Sequence, residues 1–330
     1  MKKIESLDLF RGFSGYGVAV CHFYAFLFKS TTSEYISFLF VDMFFVLSGF
    51  VLYPQLTKIY NNKKNLKIFY MRRWLRTLPI FFIALITFSI IFQNINYDTL
   101  KYLFFIQKIY PNFLTSDYMT IAWSLSIEEW FYLLFPIFLV FFNKLNIEKI
   151  FVYCLIPLYV FKIIFLLGYY EDSNFYRTGT FLRLDAIIFG AIVAHYYEII
   201  KKFKYNLPTI FLLLFIFFYF KNFFTDNTNF VQFIYVILIQ LISISLLIFF
   251  ISINKKISLK HFNKIYRLLA NQTYSVYLFH FIFIYFIKIY NLENISLILF
   301  YYIISLFITS SLIFSFFEKY FLYLRPNYNQ

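Results

Sequence analysis

Two cysteines in 330 residues, Cys21 and Cys154, are too few for a disulfide framework and show no metal-ligand spacing. Both stand in apolar stretches, where a cysteine is ordinarily a small buried hydrophobe. Charge is scarce as well. Asp, Glu, Lys and Arg make up 14% of the chain, against roughly a quarter in a soluble domain. A soluble fold of this size would expose apolar surface it could not cover, so that class is excluded. There is no internal repeat, no glycine-rich linker and no shift of composition, which leaves one domain over residues 1–330. Residues 1–8 hold Lys2 and Lys3 but no cleavable signal pattern, so the first apolar segment is expected to persist as a helix.

What fills the chain instead is hydrophobic: 62% of residues, with 52 Phe and 31 Tyr. Apolar stretches fall at about 9–29, 36–56, 79–94, 122–143, 148–169, 181–199, 207–223, 231–253, 271–290 and 295–317, several of them near the roughly 20 residues that a span requires. The expected fold is an all-α polytopic membrane protein with about ten transmembrane helices. The third stretch is the shortest. Residues 102–110 are too few to span and read as a re-entrant or interfacial piece. The net charge of +14 lies between the apolar stretches, which argues for membrane topology and against nucleic acid. With the N-terminus inside, about 21 basic residues fall in cytoplasmic segments, including Lys204, Lys255, Lys256 and Lys260. About six (Lys29, Lys101, Lys108, Arg177, Lys221 and Lys288) fall opposite. Both termini are therefore expected to be cytoplasmic.

A few polar residues remain inside the expected spans: Arg11, His22, Asp42, Glu128, Glu129, Arg183, Asp185, His195 and His280. Each costs roughly 2.5–3.5 kcal/mol to insert unless it finds a partner or a wet cavity. Arg11 and His22 are eleven residues apart, which returns to nearly the same helix face with about 16 Å of rise between them. Gly12, Ser14, Gly15 and Gly17 leave that helix thin, allowing close packing or room for a ligand. Asp42 lies near the outer mouth of the second span, with Ser48 and Gly49 as a close-packing notch. Arg72, Arg73 and Arg76 precede the third span, either as topology determinants or as an anion clamp. Glu128 and Glu129 sit about 100° apart on a helix, so one is expected to face the interior and the other the interface. Arg183 and Asp185 offer an internal pair, His195 an interfacial position, and His280 one at mid-depth.

Together these residues resemble the acyltransferase-3 family of membrane O-acyltransferases. The resemblance is carried, in order, by Arg11 and His22; Asp42, Phe44, Phe45, Ser48, Gly49 and Phe50; Arg73 and Arg76; Trp123, Ser124, Leu125, Ser126, Glu128, Phe131 and Tyr132; Arg183, Asp185 and Gly190; and Ser275, Tyr277, Leu278 and His280. Each group is weak alone, and six in order along the whole chain are specific. The resemblance implies transfer of an acyl group, usually acetyl, from cytoplasmic acyl-CoA to a hydroxyl of a glycan or glycolipid such as polysaccharide or lipopolysaccharide. It places the protein in the bacterial inner membrane. No metal is implied.

On that reading Arg11, Arg72, Arg73 and Arg76 would bind acetyl-CoA. His22 would act as general base or acyl carrier, with Glu128 orienting it or fixing the acceptor. Asp42, Tyr132, Arg183, Asp185 and His280 would line the acceptor site, with a structural ion pair as the competing role for Asp42, Arg183 and Asp185. No soluble esterase-like domain follows the last span, so the chain is expected either to acylate its acceptor directly or to hand over to a separate extracytoplasmic partner. The rival readings are a transporter or flippase of a lipid-linked sugar, which would also use mid-membrane charges, and a polysaccharide polymerase.

Overall fold

The structure is a computed structural model of the full chain and describes residues 4–168, 174–202, 207–226, 228–254, 263–289 and 294–329. Lys2, Lys3, Lys204, Lys255, Lys256 and Lys260 of the basic segments lie outside the described residues. Among the described residues the regular structure is helical throughout. In a chain this apolar, a helix satisfies its own backbone without water. The helices are α1 (Ser6–Phe28), α2 (Thr31–Asn61), α3 (Asn65–Ile91), α4 (Tyr97–Leu103), α5 (Trp123–Phe141), α6 (Ile147–Leu167) and α7 (Phe175–Thr178). There follow α8 (Leu184–His195), α9 (Tyr197–Ile200), α10 (Leu207–Phe220), α11 (Asn229–Ile253), α12 (Asn263–Ile289), α13 (Ile295–Ile313) and α14 (Lys319–Tyr323).

Each of the ten expected stretches has its own helix. Among the described residues seven helical segments, those built on α2, α3, α5, α6, α10, α11 and α13, are long and apolar enough to cross a membrane. This is an all-α polytopic membrane protein. Helix α8 is apolar but has only 12 residues. Helices α1 and α12 are long, at 23 and 27 residues, yet fall outside the seven. They are the helices that carry Arg11 and His22, and Gln272 and His280, respectively.

Helix α2 is central: 67% of its most apolar window is buried, against 17% for the segment built on α10, whose Phe211, Leu212 and Phe215 face outward. One face of α2 packs on α8 and α11, and another on α1, which in turn lies against α12. Glycine makes both crossings close. A Cβ on Gly49 would stand 1.8 Å from the Ile187 carbonyl oxygen, and one on Gly190 would stand 1.9 Å from that of Val46. The α2–α8 crossing is thus backbone against backbone. On α1, a Cβ at Gly15 would lie 2.8 Å from Thr273 Cγ2, and one at Gly12 3.1 Å from Leu269 Cβ.

The segment between α3 and α5 folds on itself. Asn96 caps α4 by accepting the Asp98 amide at 2.8 Å. Asp98 accepts from Lys101 at 2.9 Å, from the Thr115 amide and hydroxyl, and from the Ser116 amide at 2.7 Å. Trp130 Nε1 and Gln107 Nε2 donate to the carbonyls of Phe105 and Ala122. Only the first two residues of the 102–110 stretch belong to a helix, and turns follow.

Two predictions follow from packing and charge. Gly49→Ala and Gly190→Ala each force two backbones apart, so each should lose more than the roughly 1–3 kcal/mol of ordinary overpacking. Gly17→Ala, which meets only the Phe40 ring at 2.7 Å, should be milder; the yield of folded protein in detergent distinguishes them. Burial alone would raise the Asp98 carboxyl, but hydrogen bonds from Thr115, Lys101 and Ser116 hold it down at about 2. A depressed carboxyl stabilises the loop fully above its unfolded value near 4, and that support is lost as pH falls through about 2. Hydrogen exchange of the Thr115 and Ser116 amides should therefore stay slow at pH 5 and quicken toward pH 2. In Asp98→Asn it should be fast at both.

Candidate active site

Three arginines meet at one cavity. Arg11 comes from the second turn of α1, and Arg73 and Arg76 stand about one turn apart on α3. The cavity measures about 780 Å³ counting its open mouth, and Ser48, Ser124, Glu128, Tyr132 and Tyr277 also line it. Glu128 is its one carboxylate. Ser48 Oγ donates to Glu128 Oε1 at 2.7 Å, and Tyr132 Oη to Oε2 at 2.9 Å. Arg73 Nη2 donates to Gln55 Oε1 at 2.5 Å, while its Nε is buried without a partner. Among the described residues, Arg11 and Arg76 make no ion pair or hydrogen bond within the chain. Three guanidinium groups against one carboxylate leave this cavity an excess of positive charge and of unused donors. Guanidinium groups so placed are chemically suited to an anion.

Arg72 points elsewhere. Its Nη1 donates to the Pro326 carbonyl at 2.5 Å, and its guanidinium lies 5.0 Å from the centre of the Tyr328 ring. Residues 325–329 lie beside this arginine-bearing turn of α3. Tyr328 Oη donates to the same Gln55 oxygen at 3.0 Å, and the Asn329 amide donates to Asn65 at 2.9 Å. Burial, and then the positive charges of Arg76, Arg72 and Arg73, lower the Arg325 guanidinium to about 10. Sequence pattern gave no signal for this segment, which no apolar period marks.

A second cavity, about 1010 Å³ with its open mouth, lies toward the other end of α1. His22, Lys29, Glu34, Lys108, Asp117 and Trp123 are among its lining residues. His22 Nδ1 stands 2.8 Å from His280 Nε2 on α12. Between the cavities Tyr277 Oη donates to the Ile121 carbonyl at 2.8 Å and lies 2.6 Å from Ser124 Oγ. Ser124 faces the first cavity, and Ile121 and Trp123 the second. The partition is therefore about one layer of side chains thick. Arg11 and His22, expected on one stripe, are divided between the two cavities.

Several expected roles are corrected. Glu128 does not orient His22: its oxygens bind Ser48 and Tyr132, and the partner of His22 is His280. Glu128 and Glu129 do not divide between interior and interface: Glu128 lines the arginine cavity, and Glu129 is buried with Oε1 unpartnered. Arg183 and Asp185 do not pair with each other. Arg183 pairs with Asp42, and Asp185 with Lys162 at 2.5 Å, all four side chains fully buried. None of the four lines either cavity. A carboxylate enclosed in an apolar bundle needs a cation, and neighbouring helices supply one where the same helix cannot. His280, expected at the acceptor, is wholly buried behind His22. Tyr132 lines the arginine cavity. His195 lies between Tyr53 at 2.6 Å and Glu148 at 3.1 Å. Lys162 was missed, although a lysine inside an apolar stretch is the signal that would have found it.

A family model described as an acyltransferase domain matches residues 4–315. Among curated proteins, the chain is 31% identical over 217 residues to the O-acetyltransferase OatA of Staphylococcus aureus, covering 58% of this chain and 34% of that protein. It is 26% identical over 328 residues to a putative O-acetyltransferase of Staphylococcus aureus strain COL, covering 89% of this chain and 53% of the relative. The chain thus spans about a third to a half of the length of these relatives. No solved structure matches.

The Lys162–Asp185 pair yields a test of structural against acceptor roles. Lys162→Met alone strands a buried carboxylate and should cost about 3–5 kcal/mol, read as lost folded protein. Lys162→Met with Asp185→Leu should restore folded yield to near that of the unaltered chain. A double variant as poorly folded as the single one would show that the pair is not self-contained.

Proposed function

The chain belongs to the acyltransferase-3 family, and on that premise we propose that it is a membrane O-acetyltransferase. It takes an acetyl group from acyl-CoA at the arginine cavity and passes it to a hydroxyl of a carbohydrate or glycolipid at the second cavity. The observation that carries this reading is the pair of cavities, one basic and one of mixed charge, meeting across the partition at Ser124 and Tyr277 beside the His22–His280 pair.

Arg11, Arg73 and Arg76 would hold the phosphates of the donor, since guanidinium groups bind phosphate oxygens through two parallel N–H bonds. The residues fit that ligand: Arg73 Nε is buried and unused, and among the described residues Arg11 and Arg76 have no counter-charge bonded to them. Acyl-CoA supplies an acetyl thioester, which the two-cavity arrangement brings toward the histidine pair. His22 accepts the proton of the acceptor hydroxyl as its oxygen bonds to the acetyl carbon. The carbon–sulfur bond breaks, CoA leaves as the thiolate, and the proton on His22 is released to it or to solvent. Lys29, Glu34, Lys108 and Asp117 offer both donors and acceptors to sugar hydroxyls at the second cavity. The excess of basic residues in the segments on the N-terminal side supports a cytoplasmic arginine cavity, where acyl-CoA is found, in a bacterial inner membrane. A flippase would share the buried charges, but the relatives carry O-acetyltransferase names. A separate extracytoplasmic partner would complete transfer to acceptors that do not reach the second cavity.

The test uses purified protein in proteoliposomes with labelled acetyl-CoA and a soluble glycan acceptor. His22→Ala should lower transfer by about 10²–10⁴-fold, the usual worth of a positioned base. Arg73→Ala with Arg76→Ala should raise the half-saturating acetyl-CoA concentration by about tenfold or more, whereas Arg72→Ala should change it little. Full activity in His22→Ala, or an unchanged half-saturation in the double variant, would overturn the assignment.

A further inference from the structure

The two histidines fix one another's protons. His280 Nδ1 lies 2.7 Å from the Tyr277 carbonyl oxygen and 3.2 Å from that of Val276, the carbonyls three and four residues back on α12. Carbonyl oxygens only accept, so Nδ1 carries a hydrogen. A neutral imidazole has one N–H, which leaves a lone pair on His280 Nε2. That lone pair faces His22 Nδ1 at 2.8 Å, so His22 Nδ1 must donate, and the lone pair of His22 falls on Nε2. The rings are 12° from parallel with centroids 5.1 Å apart. With the nitrogens at 2.8 Å, this is an edge-to-edge, nearly coplanar hydrogen bond and not a face-to-face stack. Phe281 at 5.1 Å and Phe26 at 6.3 Å flank the His22 ring. Reversing the chain of bonds would require a cation on wholly buried His280, and among the described residues neither ring bonds a carboxylate. Such an unpaired charge is costly in a membrane interior.

We propose that His280 is a positioning residue: it accepts from His22 Nδ1, and so presents the Nε2 lone pair of His22 as the base for acyl transfer. The proposal rests on the reading of His22 as the reacting group, but its structural half is independent of activity. The relay runs from an α12 backbone carbonyl through His280 to His22 and needs no carboxylate. The place that Glu128 was expected to fill is thus taken by a second imidazole oriented by its own helix. When His22 takes a proton on Nε2, the Nδ1–H bond to His280 shortens its range of ring orientations and helps disperse the charge.

The experiment has two readouts on the full chain in detergent. The first is nitrogen NMR of protein labelled in its four histidines, with the His22 signals assigned by difference from His22→Asn. The unaltered protein should show His22 with hydrogen on Nδ1 and a bare Nε2. In His280→Phe the single tautomer should give way to a mixture, and in His280→Gln, whose amide oxygen can still accept, it should persist. The second is kinetic. His280→Phe should lower kcat about 10²-fold or more while the KM for acetyl-CoA stays within about threefold, and His280→Gln should recover to within about tenfold. Hydrogen on His22 Nε2 in the unaltered protein would overturn the proposal, as would a kcat in His280→Phe equal to the unaltered one, or a His280→Gln variant no better than His280→Phe. Absence of any acetyl transfer by the unaltered protein, with the expected tautomer in the spectra, would overturn the functional reading and leave the hydrogen-bond assignment standing.

Discussion

A polar side chain carried into an apolar bundle must find a partner there, because neither lipid nor packed Phe and Ile will hydrogen-bond it. Most of this structure answers that requirement. Buried tyrosines donate to carbonyls on other helices: Tyr35 to Phe217 at 2.7 Å, Tyr176 to Lys162 at 2.9 Å and Tyr302 to Ala19 at 3.1 Å. Buried charges pair across helices, Arg183 with Asp42 and Lys162 with Asp185. Ser275 donates to Glu318, which sits in a π-helical turn at the end of α13. Each bond ties two helices together at a named depth and register.

Against that background the exceptions are informative. Among the described residues Arg11 and Arg76 have no bonded partner, and Arg73 keeps a buried unused donor. His22 spends one ring nitrogen on His280 and turns toward the second cavity. Single unpartnered atoms also occur between helices, on Asp42, Arg183 and Asp185 for example, but there each side chain keeps an ion-pair partner. Capacity left open in an apolar setting is capacity for a ligand.

Small residues connect packing to chemistry. Gly12 and Gly15 let α12 approach α1 so closely that Leu269 and Thr273 fill the space a Cβ would need. That approach brings His280 within a hydrogen bond of His22, two to three turns further along each helix. Gly49 and Gly190 do the same for α2 and α8, placing Asp42 and Arg183 together. Three of the glycines read from sequence as helix-thinning or notch positions thus set helix spacing, and helix spacing decides which polar groups meet.

The sequence by itself determined that this chain is helical and membrane-embedded and about where its long helices fall, and it singled out Arg11, Arg73, Arg76, His22 and Glu128 as polar residues in need of a role, because composition, apolar period and isolated polar residues are properties of each segment alone. It supported the family through six short patterns. Which polar group meets which was decided only by tertiary structure. Helical periodicity says which face a residue occupies but not which helix lies opposite, so Glu128 was expected beside His22 and Arg183 beside Asp185. Packing gave His22 to His280, Glu128 to Ser48 and Tyr132, Asp42 to Arg183 and Asp185 to Lys162. Those pairings depend on the order and spacing of the helices, and no window of sequence carries that information.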